Sequence, residues 1–392
     1  MYYLFNQKFF FFNFLLFFFL NSFNYNYVNC ESDLLLEKLK TKVEISHINN
    51  IITALQLGAN NPCEDKYFIN TFNISNTTGF IMGIFDGYGG WVLSQYANLL
   101  FYPYFIEEYN SKDNLEKIEE KRIVYALNKT FAKIEEEFKL ISFLKNIEGN
   151  KKYKNYGTCA LISLIINNKL YTANLGDSKA ILLSENNNTN ENYEYKKISK
   201  VFNCRKKEEQ KRLKEKWPDM NDIYKCKRKK ICYVKGRLQP TSSLGDYYLK
   251  SPFYNLEIKN LYNDEYLNIE IEKYQGTFII SEPDIKIFNL TNNDNYLVMG
   301  SDGLWDYLNS KNIANLTKQT LNEKDKNFEK NGIVEKSDKI AFSLMEKIIE
   351  KSSIKVGINS IDIIQMDLGK KLRRIHDDVT IIICDLSKIN HF

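Results

Sequence analysis

Apolar runs that stop on Gly, Asn or Asp set the rhythm of this chain. Residues 51–57 and 66–72 read as strands. A third strand, 79–85, runs straight into Asp86-Gly-Tyr-Gly-Gly90. Helical stretches are predicted over 91–109 and 115–147, the second with Ile123, Leu127, Phe131, Ile134 and Phe138 at helical spacing. A hairpin follows: Thr158 to Ile166, a turn at Asn167-Asn-Lys169, then Leu170 to Leu175 entering Gly176-Asp-Ser178. Residues 184–196, rich in Asn and Glu, read as an inserted loop. Further strands are predicted at 277–281, at 296–300 before Ser301-Asp-Gly-Leu-Trp-Asp306, and at 379–385 after His376-Asp-Asp378. The region between the last two reads as helical, with a charged loop near 321–338. Mixed order with hairpins, rather than regular strand–helix alternation, favours an α+β fold.

The chain's 392 residues leave room for a large core, and 44% hydrophobic with 26% charged residues exclude wholesale disorder. The net charge of +5 is uneven. Residues 205–230 carry twelve Lys or Arg against five Asp or Glu, a local +7 that leaves the remainder near −2. Lacking aromatic interleaving, that stretch reads as a solvated face and not as a nucleic-acid site. Three His residues are too few to favour zinc-hydrolase or triad chemistry. At the N-terminus, Lys8 precedes an apolar run from Phe9 to Leu20, the form of a signal-peptide core and short for a membrane span. Residues 1–30 are therefore expected to be a signal peptide or a retained signal anchor, attached to a membrane through residues 9–20 in the second case. Either directs the protein to the secretory pathway, secreted or membrane-anchored. The seven Cys contain no C-x-x-C pair; Cys204, Cys226 and Cys232 are the candidates for a disulfide.

The chemistry resides in acids that punctuate strand ends: Glu64-Asp65, Asp86, Asp177, Asp246, Asp302 and Asp377-Asp378. Carboxylates gathered at one end of a core repel one another and lose hydration unless cations neutralise them. Oxygen-only ligands suit Mg²⁺ or Mn²⁺ over zinc. Any one Asp-Gly taken alone is a turn.

In order along the chain, Glu64-Asp65, Asp86-Gly-Tyr-Gly-Gly90, Gly176-Asp-Ser178, Gly236 to Asp246, Ser301-Asp-Gly-Leu-Trp-Asp306 and His376-Asp-Asp-Val-Thr380 resemble the motifs of the metal-dependent type 2C serine/threonine phosphatases. The resemblance implies a four-layer α/β/β/α sandwich, with a central antiparallel β-sandwich and a dinuclear metal site at one end. It also implies a catalytic domain over 45–390, with insertions near 184–200, 205–235 (a basic flap) and 318–340. Carried over by motif, Asp86 would bridge two Mg²⁺ or Mn²⁺ ions and the Gly87 carbonyl would join one of them. Asp302 and Asp377 would complete the shell, and Glu64 and Asp65 would hold waters. Asp177 and Asp246 would lie outside it or at a third ion. The implied activity is hydrolysis of phosphoserine or phosphothreonine in a phosphorylated protein substrate by a metal-activated water, in a monomer.

Four positions depart from the family pattern. Asn60 stands where a phosphate-clamping Arg is usual, and Tyr88 where a His is the proposed general acid. Ser242 and Lys179 each replace an Arg. A phenol near its normal pKa of about 10 is poorly matched to neutral pH, and losing a general acid costs on the order of 10²–10⁴ in rate. The expected function is a weak or specialised phosphatase, the alternative a metal-binding pseudophosphatase acting as a scaffold or regulator. The basic flap is expected to compensate for the missing Arg by attracting acidic or phosphorylated partners.

Overall fold

The computed structural model describes residues 34–391 apart from 75–76, 112–118, 186–192, 228–230, 252–253, 255–276 and 323–327. The N-terminal apolar run lies outside the described residues, as do Arg228, Lys229 and Lys230 of the basic stretch. No helix among the described residues is long and apolar enough to cross a membrane.

Strands β1 (Glu44–Ile48), β2 (Ile52–Leu57), β3 (Lys66–Ile74), β4 (Thr77–Tyr88), β5 (Gly157–Ile166), β6 (Lys169–Leu175), β7 (Lys179–Glu185) and β8 (Tyr193–Lys197) occupy the first half. After them come β9 (Tyr224–Lys227), β10 (Ile231–Val234), β11 (Leu244–Gly245), β12 (Asp284–Asn289), β13 (Asp294–Gly300) and β14 (Val379–Asp385). One antiparallel sheet has the order β1-β2-β14-β13-β7-β8, the other β12-β6-β5-β4-β3.

Alternation along the strands builds the layers, because successive side chains point to opposite faces. On β14, Ile382 and Cys384 face the other sheet, where they meet Leu297 and Met299 of β13, Phe80, Met82 and Ile84 of β4, and Leu161 and Ile165 of β5. Val379, Ile381 and Ile383 turn outward onto the helix Lys336–Val356, which buries Ile340, Leu344, Ile348 and Ile349 against them. On the second sheet, Ile81 and Phe85 face outward onto the helices Val92–Asn110 and Glu119–Ile147, whose Phe101, Phe105, Ile123, Leu127 and Phe131 fill that layer. The molecule is thus a helix–sheet–sheet–helix sandwich. Burying each large aliphatic or aromatic side chain contributes about 1.5–3 kcal/mol before entropy is counted.

Several sequence expectations are corrected. Residues 277–281 form no strand; they hold one isolated bridge, Ser242 to Ile280, and the strand begins at Asp284, after Pro283. The inserted loop is narrower than its composition suggested. Residues 184–185 and 193–197 belong to β7 and β8, an edge hairpin whose outer strand is almost wholly exposed and so lacks the apolar alternation that marks a strand. Strand β1 and the helix over 34–42 were not expected either. The basic stretch is structured where it is described: it forms the helix Lys207–Lys216 and the β9–β10 hairpin, whose Cys226 and Cys232 pair as a disulfide, leaving Cys204 free and buried.

Candidate functional site

Register brings the acid-bearing strand ends to one end of the sandwich. β14 starts beside the end of β13 and the end of β2, with Ile381 opposite Gly300 and Val379 opposite Leu57. In the second sheet Asp86 lies opposite Cys159 at the start of β5, Leu175 at the end of β6 pairs with Ala160, and Lys66 at the start of β3 pairs with Phe85. Asp302, Asp377, Glu64-Asp65, Asp86 and Asp177 follow or precede those ends.

Burial, then the charges of Asp302, Asp65, Asp177 and Asp377, push the Asp86 carboxyl well above the ordinary carboxylate range. Asp65 and Asp302 are raised in the same way, by burial first and by neighbouring acids after it. Burial also lifts Asp177, against the hydrogen bonds of Asn203 and Cys159. Asp377 is raised to about 6, chiefly by burial. Glu64 is raised to about 7, by burial and then by Asp378.

Each acid is held. Thr380 Oγ1 donates to Asp65 Oδ2 at 2.8 Å. Asn203 Nδ2 donates to Asp177 Oδ2 at 2.5 Å, and Cys159 Sγ to Asp177 Oδ1 at 3.2 Å. The Asp302 backbone N–H points at Asp86 Oδ2, 3.3 Å away. Arg373 pairs with Asp377 Oδ2 at 2.5 Å. Gly87 allows a close approach: a Cβ there would lie 2.5 Å from the Glu64 carbonyl oxygen and 2.6 Å from Ser94 Oγ.

Asp378 has a different role from its neighbour. It accepts from the backbone N–H groups of Ala59, Asn60 and Glu64 at 2.5, 2.9 and 2.8 Å, and from Asn60 Nδ2 at 2.9 Å. Burial alone would raise its pKa, but these donors hold it below the ordinary value. Asp378 is the tie that folds the 59–64 loop over the start of β14.

Asp246 stands apart from these acids. It accepts from Tyr88 Oη at 2.6 Å and Ser243 Oγ at 2.7 Å, it has a left-handed φ of 53°, and burial raises its pKa to about 6. A Cβ on Gly157 would strike Tyr88 at 2.3 Å and Asp246 Oδ2 at 2.4 Å, so the pair requires glycine on β5. Tyr88 is itself raised well above 10, by burial and then by the Asp246 charge.

Repelling buried carboxylates of this kind, with Arg373–Asp377 the ion pair that reaches them among the described residues, fit a hard divalent cation. Asp86, Cys159 and Asp177 each offer a ligand atom within 4.8 Å of one another. This thiol was not singled out from sequence. It is buried, and its pKa is raised well above 9 by burial and then by Asp177.

Sequence reasoning also missed Arg373, Asn203, Thr380 and the tying role of Asp378. Arg373 carried only a weak signal, since Asp377 lies four residues on, beyond the end of the arginine's short helix. Asn203 and Cys159 carried none, since only tertiary structure brings them to Asp177.

Two packed antiparallel sheets between helices, with acids collected at one end, are the architecture of metal-dependent phosphatases. The family model described as "Protein phosphatase 2C" matches residues 57–357, and the chain belongs to that family, whose members are generally metal-dependent serine/threonine phosphatases. It is 28% identical over 330 residues to "Probable protein phosphatase 2C 28" of Oryza sativa subsp. japonica, covering 83% of this chain and 75% of that protein. It is 26% identical over 342 residues to "Probable protein phosphatase 2C 64" of Arabidopsis thaliana, covering 86% and 78%. The crystal structure of serine-threonine phosphatase 2C from Toxoplasma gondii shares the fold, with a TM-score of 0.56 at 13% identity, over 88% of this chain and 98% of that one.

Proposed function

We propose that this protein hydrolyses phosphoserine or phosphothreonine in proteins with two Mg²⁺ or Mn²⁺ ions, at a reduced or specialised rate. The observation that carries this reading is the convergence of buried Asp65 and Asp86 with half-buried Asp177, Asp302 and Asp377 as mutually repelling acids. Asp86 with the Gly87 carbonyl, Asp302 and Asp377 would hold the ions, with Glu64 and Asp65 beside them. Bound ions supply charge neutralisation and a water of lowered pKa. The chain's own residues supply order: Thr380 fixes Asp65, Arg373 fixes Asp377, and Asp378 fixes the loop that carries Glu64.

Proton delivery to the leaving alkoxide is the weak step. The Tyr88 proton is committed to Asp246, and burial with the Asp246 charge makes that phenol a poorer acid than a free one. The Asn60 amide is committed to Asp378 and brings no charge to a phosphate. These two bonds equally favour the second reading, a metal-binding scaffold without turnover.

A Mn²⁺-dependent assay on phosphopeptides separates them. Wild type is expected to release phosphate, Asp86→Asn to release none, and Tyr88→His to raise kcat by on the order of 10–10². Wild type and Tyr88→His both at the Asp86→Asn level would leave the scaffold reading. A leader at residues 1–30 would deliver the protein to the secretory pathway, and the Cys226–Cys232 bridge suits an oxidising compartment. Non-reducing peptide mass spectrometry of protein from its native cells tests this; an intact precursor with both thiols free would overturn it.

A further inference from the structure

A cleft of about 690 Å³ opens beside Asp377, and its lining is unlike the acidic centre next to it. Arg205, Lys351, Lys355, Arg373 and Arg374 enter it from three separate parts of the chain. They face two acids, Asp306 and Asp377. Arg373 is spent on Asp377, and Arg205 reaches Asp306 only at 3.7 Å. Lys351, Lys355 and Arg374 have no acidic partner among the described residues. Lys351 Nζ donates to the Tyr307 carbonyl at 2.8 Å, and Lys355 Nζ lies 5.4 Å from the Tyr307 ring centroid. Tyr307 is anchored in turn by its hydroxyl, which donates to the Ile375 carbonyl at 2.8 Å. Ile354, 83% exposed, gives the rim an apolar contact.

Unpaired cations held around a fixed tyrosine make a receptor for a multiply charged anion, and the volume is that of a ligand cleft. The family position that would clamp phosphate is Asn60, which is occupied by Asp378. Of the basic stretch at 205–230, Arg205 is the residue in this cleft; the other cations come from the end of the helix Lys336–Val356 and from the segment before β14.

We infer that this cleft is an anion subsite, and that the preferred substrates are peptides carrying a second anionic group, phosphate or carboxylate, near the phosphoresidue to be hydrolysed. The inference rests on the phosphatase reading for the fate of the peptide, but not for its binding. The second anion sits among Lys351, Lys355 and Arg374, and the residue to be hydrolysed lies toward Asp377 and Asp302.

The test uses the full chain with Mn²⁺ and three peptide sets sharing one phosphothreonine: neutral flanks, glutamate flanks, and a second phosphoserine scanned through neighbouring positions. Binding is read by fluorescence anisotropy with non-hydrolysable phosphonate versions, turnover by phosphate release from the phosphate versions. Doubly anionic peptides should bind roughly tenfold tighter than neutral ones, with the gap narrowing as salt rises. The Lys351→Gln/Lys355→Gln/Arg374→Gln protein should lose most of that gap, and the exposed single change Lys355→Gln about two- to threefold of it. Equal binding of all sets by wild type overturns the inference, as does a preference that the triple variant, melting like wild type, retains. Preference without phosphate release would support the subsite and sink the phosphatase reading; release without preference would do the reverse. A gap confined to the phosphoserine set assigns the subsite to phosphate, and one shared by the glutamate set to anions in general.

Discussion

Replacing Tyr88 by Phe separates a structural hydroxyl from a catalytic one. The hydroxyl donates to Asp246 Oδ2 at 2.6 Å alongside Ser243 Oγ at 2.7 Å, and Asp246 Oδ1 has no partner among the described residues. Burial raises the Asp246 carboxyl from 3.8 to about 6, even with both hydroxyls pulling it down. That rise costs the ionised native state roughly 3 kcal/mol. The folded value lies above the unfolded one, so this group's stabilisation is fully present below about pH 4 and is lost as pH rises through 6. At pH 8 the Tyr88 hydrogen bond is charge-assisted, and deleting it should cost about 2 kcal/mol; at pH 5 the carboxyl is mostly protonated and the cost falls to about 1 kcal/mol.

Urea unfolding of metal-free Tyr88→Phe and wild type at the two pH values measures this difference directly, and the melting temperature at pH 8 should drop by about 3 °C. The phosphatase assay supplies the other half. With its proton committed to Asp246, Tyr88 contributes little to turnover, and kcat should fall by less than about threefold, against the 10²–10⁴ expected for a true general acid. A kcat loss of 10² or more with equal destabilisation at both pH values would refute the reasoning.

Three further outcomes are expected. In chelator, stability should fall between pH 5 and 8, because Asp377 at about 6 and Glu64 at about 7 both sit above their unfolded values; allowing for Glu64's exposure the loss is on the order of 3 kcal/mol, and a flat or rising melting temperature would contradict it. Saturating Mn²⁺ should reverse that loss, by about 2.7 kcal/mol at one hundred times its Kd, a gain absent from Asp86→Asn. Asp378→Ala should destabilise by roughly 3–5 kcal/mol in urea melts, because it leaves the Ala59, Asn60 and Glu64 N–H groups without their acceptor, whereas Asp377→Ala should lower Mn²⁺ affinity with little loss of metal-free stability.

Long apolar strands were legible because burial on both faces leaves nothing polar to confuse them: β14 was read as Val379–Asp385 and begins and ends there. The edge strands of the first sheet were not, since β8 buries no side chain fully and β1 only partly buries Ser46 and Ile48. A signal for β1 existed in Asn49-Asn50, whose φ values of 49° and 55° form the tight turn into β2, the same device as Asn167-Asn168 at 50° and 56°. The acids were legible as residues that end strands. What holds each one was not: Asn203 reaches Asp177 across 26 residues of chain and Thr380 reaches Asp65 across 315. Contacts at that separation leave no local pattern.

The four departures from the family pattern have one physical account. Asn60 donates to Asp378, Tyr88 to Asp246, Lys179 Nζ to Ser310 Oγ at 2.6 Å, and Ser242 Oγ accepts from the Gly176 N–H at 2.9 Å. Lys179 is also half-buried over the Trp305 ring, and burial lowers its pKa to about 8. At all four positions the side chain belongs to the scaffold, each with a bonded partner. Three of these bonds lie next to acids: Asn60 in the loop of Glu64, Tyr88 two residues after Asp86, and Ser242 on the Gly176 N–H before Asp177. In the proposed reading the acidic centre stays rigid while Asn60 and Tyr88 serve the scaffold in place of phosphate recognition and proton delivery. In that reading recognition falls to cations without an acidic partner, and among the described residues Lys351, Lys355 and Arg374 beside Asp377 answer to that description.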